Sequence, residues 1–274
     1  MGNIIKAFKK IFGNQDNKKS CMKILDNYTS FSEVEHALRN AGLETSQLIV
    51  GIDYTKSNSW KGGLPYFKFD NLHTISNINN PYQEVLSVMC KALAPFDDDN
   101  FIDAYGFGDY STTDKSVFSM NNVTSEHGTE EVPCYKLEGV LERYSIITPF
   151  VNLSGPTSFA PIIRKAIDLV KVRKQYHILI IIADGAVDSV RDTKNAIIEA
   201  SHYPLSIIVI GVGKGTWELM EEFDDELPER KFDNFQFVDF YKVMQKCENN
   251  IHTFAMHALM EIPEQYSYIK KHLL

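Results

Sequence analysis

The sequence is poor in cysteine, and what it has is not arranged for chemistry. Cys21, Cys90, Cys134 and Cys247 are scattered through 274 residues with no C-x-x-C pair. That argues against a zinc site or a disulfide framework and fits a reducing compartment. Long apolar runs are lacking too: none approaches the roughly 20 residues that span a bilayer. A secretory apolar segment with a small-residue cleavage site is likewise missing. Positive charge is in deficit, with 28 Lys and Arg against 36 Asp and Glu, a net charge of -8. Such a balance excludes nucleic acid as an expected partner. None of the eight histidines pairs with a Cys or Ser in a way that makes a triad. What is present is 44% hydrophobic residues, enough for one large α/β domain with extensions.

The apolar residues fall into two patterns. Short runs rich in Ile and Val suit strands buried on both faces: Leu48–Asp53, Phe101–Phe107, His177–Ala183 and Leu205–Val212. Phe235–Asp239 reads as an edge strand. Segments with apolar residues at three-four spacing read as helices: 30–42, from Pro81 to Leu93, Gly139–Phe150, Phe159–Val172, Asp192–Ala200, Trp217–Phe223 and Lys242–Met260. Ser30 or Ser32 caps the first and Gly42 ends it. Residues 111–135 have no clear period and predict a loop with short strands. Strands alternating with helices predict a doubly wound, mostly parallel sheet with helices on both faces, the Rossmann-like α/β class. The expected organisation is an arm and linker over 1–20, a bracing helix region over 21–46, and the main domain over 47–274.

The arm, MGNIIKAFKKIFGN, differs from the rest. Ile4, Ile5, Phe8, Ile11 and Phe12 fall on one helical face, with Lys6, Lys9 and Lys10 on the other. A basic amphipathic helix on an acidic chain reads as an interfacial membrane anchor. Gly2 is a candidate for N-myristoylation, although Lys6 stands where Ser or Thr is usual. A lipid together with basic and aromatic residues makes the two-signal arrangement that stable anchoring needs.

Three polar segments sit at strand exits or helix starts. Asp53-x-Thr55-x-Ser57 follows the first strand. Gly155-Pro156-Thr157-Ser158 launches the helix from Phe159. Ala183-Asp184-Gly185 follows the strand HILIII. In an open α/β sheet all three meet in the crevice at the carboxyl edge, where ligands bind. Two carboxylates and three hydroxyls offer only hard oxygen, which Mg²⁺ prefers and Mn²⁺ or Ca²⁺ accepts. Asp109 follows another apolar strand and reads as a loop cap near the site. Gly211-Val212-Gly213-Lys214-Gly215 lacks the spacing of a dinucleotide or phosphate loop and reads as a turn that needs glycine. Asp97-Asp98-Asp99 lacks the rest of a calcium loop and reads as a solvated turn. Trp60, Tyr66 and Phe67, in the loop after the first motif, fit either a partner surface or burial.

The three segments resemble the metal-ion-dependent adhesion site of von Willebrand factor A domains. That pattern is D-x-S-x-S, a distant Thr, and an Asp in a T-D-G or A-D-G turn. The resemblance implies metal ligation by Asp53, Thr55, Ser57, Thr157 and Asp184. Thr55 replaces a Ser and keeps the hydroxyl. The sequence is more closely similar to the copine branch, with its related plant RING-type ubiquitin ligases. AGLETSQLIVGIDYTKSN, NPYQEVLSVMCKAL, DDDNFIDAYGFGD, GPTSFAPII, YHILIIIADGAV and FDNFQFVDF carry that likeness.

The resemblance implies a non-enzymatic, metal-dependent protein-binding module with no catalytic residues and no small-molecule substrate. Its partner presents an Asp or Glu that completes the metal. The two C2 domains of copines and the cysteine-rich RING of the ligases have no counterpart in the sequence, so ubiquitin transfer is not expected of it. The basic arm is expected to replace the C2 domains in targeting, placing a cytoplasmic protein on the cytosolic face of a membrane. Two other readings compete. One is a substrate-recruiting component of a ubiquitin-ligase system, with a RING in trans. The other is a Mg²⁺-dependent phosphoryl-transfer enzyme of the haloacid-dehalogenase type. The latter wants a second Asp as general acid where this chain has Thr55.

Overall fold

Apolar runs that alternate their side chains between two faces need cover on both, and the fold supplies it. The structure is a computed structural model. It describes residues 28–59, 71–125, 128–185, 187–213, 217–225, 227, 229–246 and 250–274. The amphipathic arm with Gly2, together with Cys21, Trp60, Tyr66, Phe67, Lys214, Gly215 and Cys247, lies outside the described residues.

Helix α1 (Phe31–Ala41) starts at Ser30, whose side chain accepts from Glu33 N, and stops at Gly42 with φ 81°. Both ends match the sequence reading, and a cap of this kind is worth about 1 kcal/mol. Strand β1 (Ser46–Asp53) leads to α2 (Pro81–Leu93), which Asn80 and Gln83 start with a reciprocal capping box. Strand β2 (Asp97–Phe107) follows. Four short strands come next: β3 (Phe118–Ser119), β4 (Asn122–Ser125), β5 (Gly128–Glu131) and β6 (Cys134–Tyr135). Then come α3 (Lys136–Ile147), α4 (Ala160–Arg173), β7 (His177–Ala183), α5 (Val190–Ala200), β8 (Leu205–Gly211) and α6 (Glu218–Asp225). Strand β9 (Phe235–Asp239) and helices α7 (Phe240–Lys246), α8 (Ile251–Leu259) and α9 (Ile262–His272) complete the order.

The main sheet has the order β3-β2-β1-β7-β8-β9, with β6 on β2. Strands β2, β1, β7, β8 and β9 run parallel, while β3 and β6 pair antiparallel to β2. Leu48, Val50, Ile52, Ile178, Ile180, Ile182, Ile208 and Ile210 share a core with α1, α2, α3, α8 and α9. Ile49, Leu179, Ile181, Ile207 and Val209 share the opposite core with α4, α5 and α6. The period of two along each strand thus fills both layers. This is the doubly wound α/β sheet that the alternation of strands and helices predicts. Its strand order reverses between β1 and β7, which opens a crevice at their carboxyl ends.

Two readings of the sequence are corrected. Asp97, Asp98 and Asp99 are the start of β2 and not a solvated turn. Ser46 pairs with Asp97, and the register then shifts before Leu48 meets Ile102. Asn100 takes φ 60° in that irregularity, and Asp99 Oδ1 accepts from Phe101 N at 2.9 Å. The acidic run is therefore consumed by a bulge that aligns two strands. The single helix expected over Lys242–Met260 is two helices, α7 and α8. Asn250 Oδ1 accepts from His252 N and Thr253 N, which starts a new helix where the apolar period runs on.

Candidate metal centre

Asp53 is the last residue of β1, and its side chain is fully buried. Thr55 N donates to Asp53 Oδ1 at 2.8 Å, which turns the chain out of the sheet. Ser57 Oγ donates to Asp184 Oδ1 at 2.8 Å, and Thr55 Oγ1 lies 3.0 Å from Ser57 Oγ. With the Ser57 proton committed to Asp184, Thr55 is the donor of the second bond. Asp184 directly follows β7 and is buried. The two strand exits on either side of the switch point thus bring two carboxylates and two hydroxyls into one hydrogen-bonded cluster.

Thr157 is placed differently. It is buried in the loop ahead of α4, and its N donates to Asp188 Oδ2 at 2.8 Å. Its carbonyl accepts from Asp188 N and Ser189 N. Among the described residues no hydrogen bond joins Thr157 to the other four; it is tied to the segment just after Asp184. The loop before it is fastened to the first motif, since Lys56 N donates to Ser154 O and Ser154 N to Tyr54 O.

Electrostatics at the site are unfavourable without a cation. Burial raises the Asp53 carboxyl well above the usual range, and the nearby Asp184 charge raises it further. Burial raises Asp184 as well. Asp53 Oδ2 is buried and has no donor among the described residues. A buried carboxylate oxygen without a partner is costly. A hard divalent ion would satisfy it, so the donor set fits the oxygen-ligated metals. Among the described residues no group of three or more His, Cys, Asp or Glu is placed to hold a metal ion. Hydroxyls make up the remainder of the set.

The sequence reading missed the shell behind the cluster. Asn58 is fully buried and spans the turn, with Nδ2 donating to the carbonyls of Asp53 and Thr55. Tyr82, from α2, donates to Asn58 Oδ1 at 2.6 Å. His73 Nε2 reaches Asp53 O at 2.8 Å, and its ring stacks between Tyr54 and Tyr82. Because a carbonyl only accepts, Nε2 carries the proton, and Nδ1 accepts from Tyr144. Burial lowers His73 to about 3, so the ring is neutral. Nothing in the local sequence, NLHTISNINN over residues 71–80, marks His73.

Glycines let the chain approach. A side chain at Gly108, where φ is 80°, would strike the Thr55 methyl. One at Gly213 would strike the Asp184 carbonyl. Within the described residues, then, the stretch after β8 needs glycine at Gly213 because its backbone packs on the Asp184 carbonyl. Asp109 is a loop cap: burial raises its pKa, but bonds from Ser111 and Thr112 outweigh this and hold it below the usual carboxylate range.

An Asp-x-Thr-x-Ser turn at the switch point of such a sheet, facing an Asp at the next strand exit, defines a domain of the von Willebrand factor A class. The copine family model matches residues 71–274, most of the chain. The chain belongs to the copine family. It is 48% identical over 271 residues to the E3 ubiquitin-protein ligase RGLG2 of Arabidopsis thaliana, covering 92% of this chain and 56% of that protein. It is 47% identical over 248 residues to copine family protein 2 of Caenorhabditis elegans, covering 90% of this chain and 3% of that protein. The chain therefore spans about half, or far less, of the length of these relatives. Among solved structures it is similar to that of manganese-loaded TRAP from Plasmodium vivax. That likeness has 12% identity and a TM-score of 0.46, covering 74% of this chain and 72% of the other.

Proposed function

We propose that this protein is a divalent-cation-dependent protein-binding module without catalytic activity of its own. Asp53, Thr55, Ser57, Thr157 and Asp184 hold the ion, and an Asp or Glu of the partner completes its coordination. The observation that carries this reading is Asp53 Oδ2, a fully buried carboxylate oxygen without a donor among the described residues, beside a second buried carboxylate. With two carboxylates at most, the ion keeps enough positive charge to attract a third from outside. Hard oxygen donors favour Mg²⁺, with Mn²⁺ and Ca²⁺ as substitutes.

The test is capture from lysate by the full chain and by Asp53→Ala, in Mg²⁺ and in chelator. Partners retained by the wild type in Mg²⁺ are expected to be lost in chelator and with Asp53→Ala. Partners that survive both treatments would refute metal dependence. The 48% identity to a plant ubiquitin ligase favours a second reading. In it the module recruits substrates for ubiquitination by a RING protein in trans, and the metal-dependent partners would then include one.

The arm extends the proposal to location. Its apolar face and Lys6, Lys9 and Lys10 fit the cytosolic face of an anionic membrane, with Gly2 acylation as the second signal. Removing residues 1–14 is predicted to abolish sedimentation with phosphatidylserine-containing vesicles. Raising salt to about 0.5 M should weaken binding of the intact chain. Unchanged sedimentation of the shortened chain would rule the anchor out.

A further inference from the structure

The Asp53 peptide carbonyl is unusual in the number of side chains aimed at it. His73 Nε2 donates to it at 2.8 Å and Asn58 Nδ2 at 3.2 Å, while Tyr82 Oη, its proton given to Asn58 Oδ1 at 2.6 Å, stands 3.3 Å away. The pairing of β1 with β7 stops one residue earlier, at Ile52 opposite Ile182. Asp53 is therefore the residue at which β1 has lost its β7 neighbour while still paired with Phe107 of β2, and side chains hold its carbonyl. His73 makes the shortest of these bonds. Its ring cannot turn, because Tyr54 stacks on one side at 4.6 Å, Tyr82 on the other at 4.1 Å, and Tyr144 holds Nδ1 at 2.8 Å. Tyr144 is itself held by Asn80 Nδ2 at 3.1 Å, the residue that caps α2.

We propose that His73 is a positioning residue for the cation site. It fixes the Asp53 carbonyl and so sets the direction of the Asp53 carboxylate and of the turn that presents Thr55 and Ser57. The inference rests on the cation-binding reading of those residues. The physical reason is preorganisation. A site made of few charged ligands gains affinity from oxygens already held in place, and the groups that orient metal ligands typically carry 10–100-fold in affinity. His73 acts through Asp53 and touches no ligand atom itself. The arrangement also joins the turn after β1 to the start of α2, through Asn80 and Tyr82, and to the last turn of α3, through Tyr144.

Two substitutions separate orientation from packing. A glutamine side chain can place its amide N–H where Nε2 stands; an asparagine side chain is too short to reach Asp53 O. With the full chain and Mn²⁺ alone as probe, calorimetric titration should show His73→Asn losing about 10-fold or more in affinity. His73→Gln should stay within about 3-fold of wild type, since it keeps the donor. In chelator, amide exchange at Thr55 should quicken in His73→Asn and not in His73→Gln, while exchange in β7 and β8 stays slow.

If His73→Asn fails to fold, Tyr144→Phe carries the test. It keeps the packing, removes only the hydroxyl on Nδ1, and should cost about 3-fold or more in Mn²⁺ affinity. His73→Asn binding Mn²⁺ as wild type does, or His73→Gln failing as badly as His73→Asn, would overturn the proposal. If wild type binds no Mn²⁺, the cation reading fails. The exchange at Thr55 then still decides whether His73 fixes the turn.

Discussion

Saturating Mn²⁺ is expected to raise the melting temperature of this protein by about 5–10 °C, and Asp53→Ala to remove the whole rise. The size follows from mass action. A ligand at 100 times its dissociation constant adds about 2.7 kcal/mol, and each kcal/mol is worth about 2–4 °C for a domain of this size. The cause lies in two buried carboxyls whose pKa values are raised, chiefly by burial and, for Asp53, also by Asp184.

The sign can be worked out. A folded-state pKa above the unfolded value means that the metal-free fold prefers these groups protonated. The stability they lend is complete below the ordinary carboxylate range near about 4, and it is lost as pH rises toward neutral and beyond. A bound cation replaces the protons, so the Mn²⁺-induced rise should grow with pH over the same window. Asp53→Asn, which removes the charge and keeps the volume, should melt at or above wild type in chelator near neutral pH. Thermal scans with and without Mn²⁺ across about pH 5 to 8 check all of this. A melting temperature indifferent to Mn²⁺ at every pH would reject the site.

Replacing Arg230 with methionine should cost about 3–5 kcal/mol, measured by urea unfolding. Arg230 and Asp233 form an ion pair with Nη1 2.6 Å from Oδ1, and their side chains are 2% and 1% exposed. Arg230 also donates through Nε to Leu227 O at 3.2 Å and through Nη2 to Asp224 O at 2.8 Å. Its loss removes the cation from a buried pair and takes donors from two carbonyls. The pair closes the connection from α6 to β9. There Asn234 also donates to Ile197 O and accepts from Ile207 N, which ties α5, β8 and β9 together. Arg230→Met with Asp233→Leu should recover most of the loss, because no charge is then buried. A single variant within about 1 kcal/mol of wild type would show that the pair contributes little.

The strands β1, β7 and β8 were legible because strands covered on both faces must be apolar throughout, and HILIIIA and LSIIVIG are. Asp53, Thr55, Ser57 and Asp184 were legible because a polar residue ending such a run stands at the sheet's edge. The break between α7 and α8 was not legible, since the apolar period continues across it, although the Asn250 cap starts a new helix there. Asp97 to Asp99 were misread because their pairing with β1 depends on residues about 50 positions away, beyond any local pattern.

The sequence by itself determined the class of sheet, its two-sided cover and the oxygen donors at its edge. Those features follow from periodicity and from side-chain chemistry, both of which are local. The tertiary structure alone decided which donors meet. It joined Ser57 to Asp184 across 127 residues and left Asp53 Oδ2 without a donor among the described residues. It also turned Thr157 toward Asp188 and brought His73 onto the Asp53 carbonyl. Burial and long-range hydrogen bonds are properties of packed elements, and no window of sequence contains them.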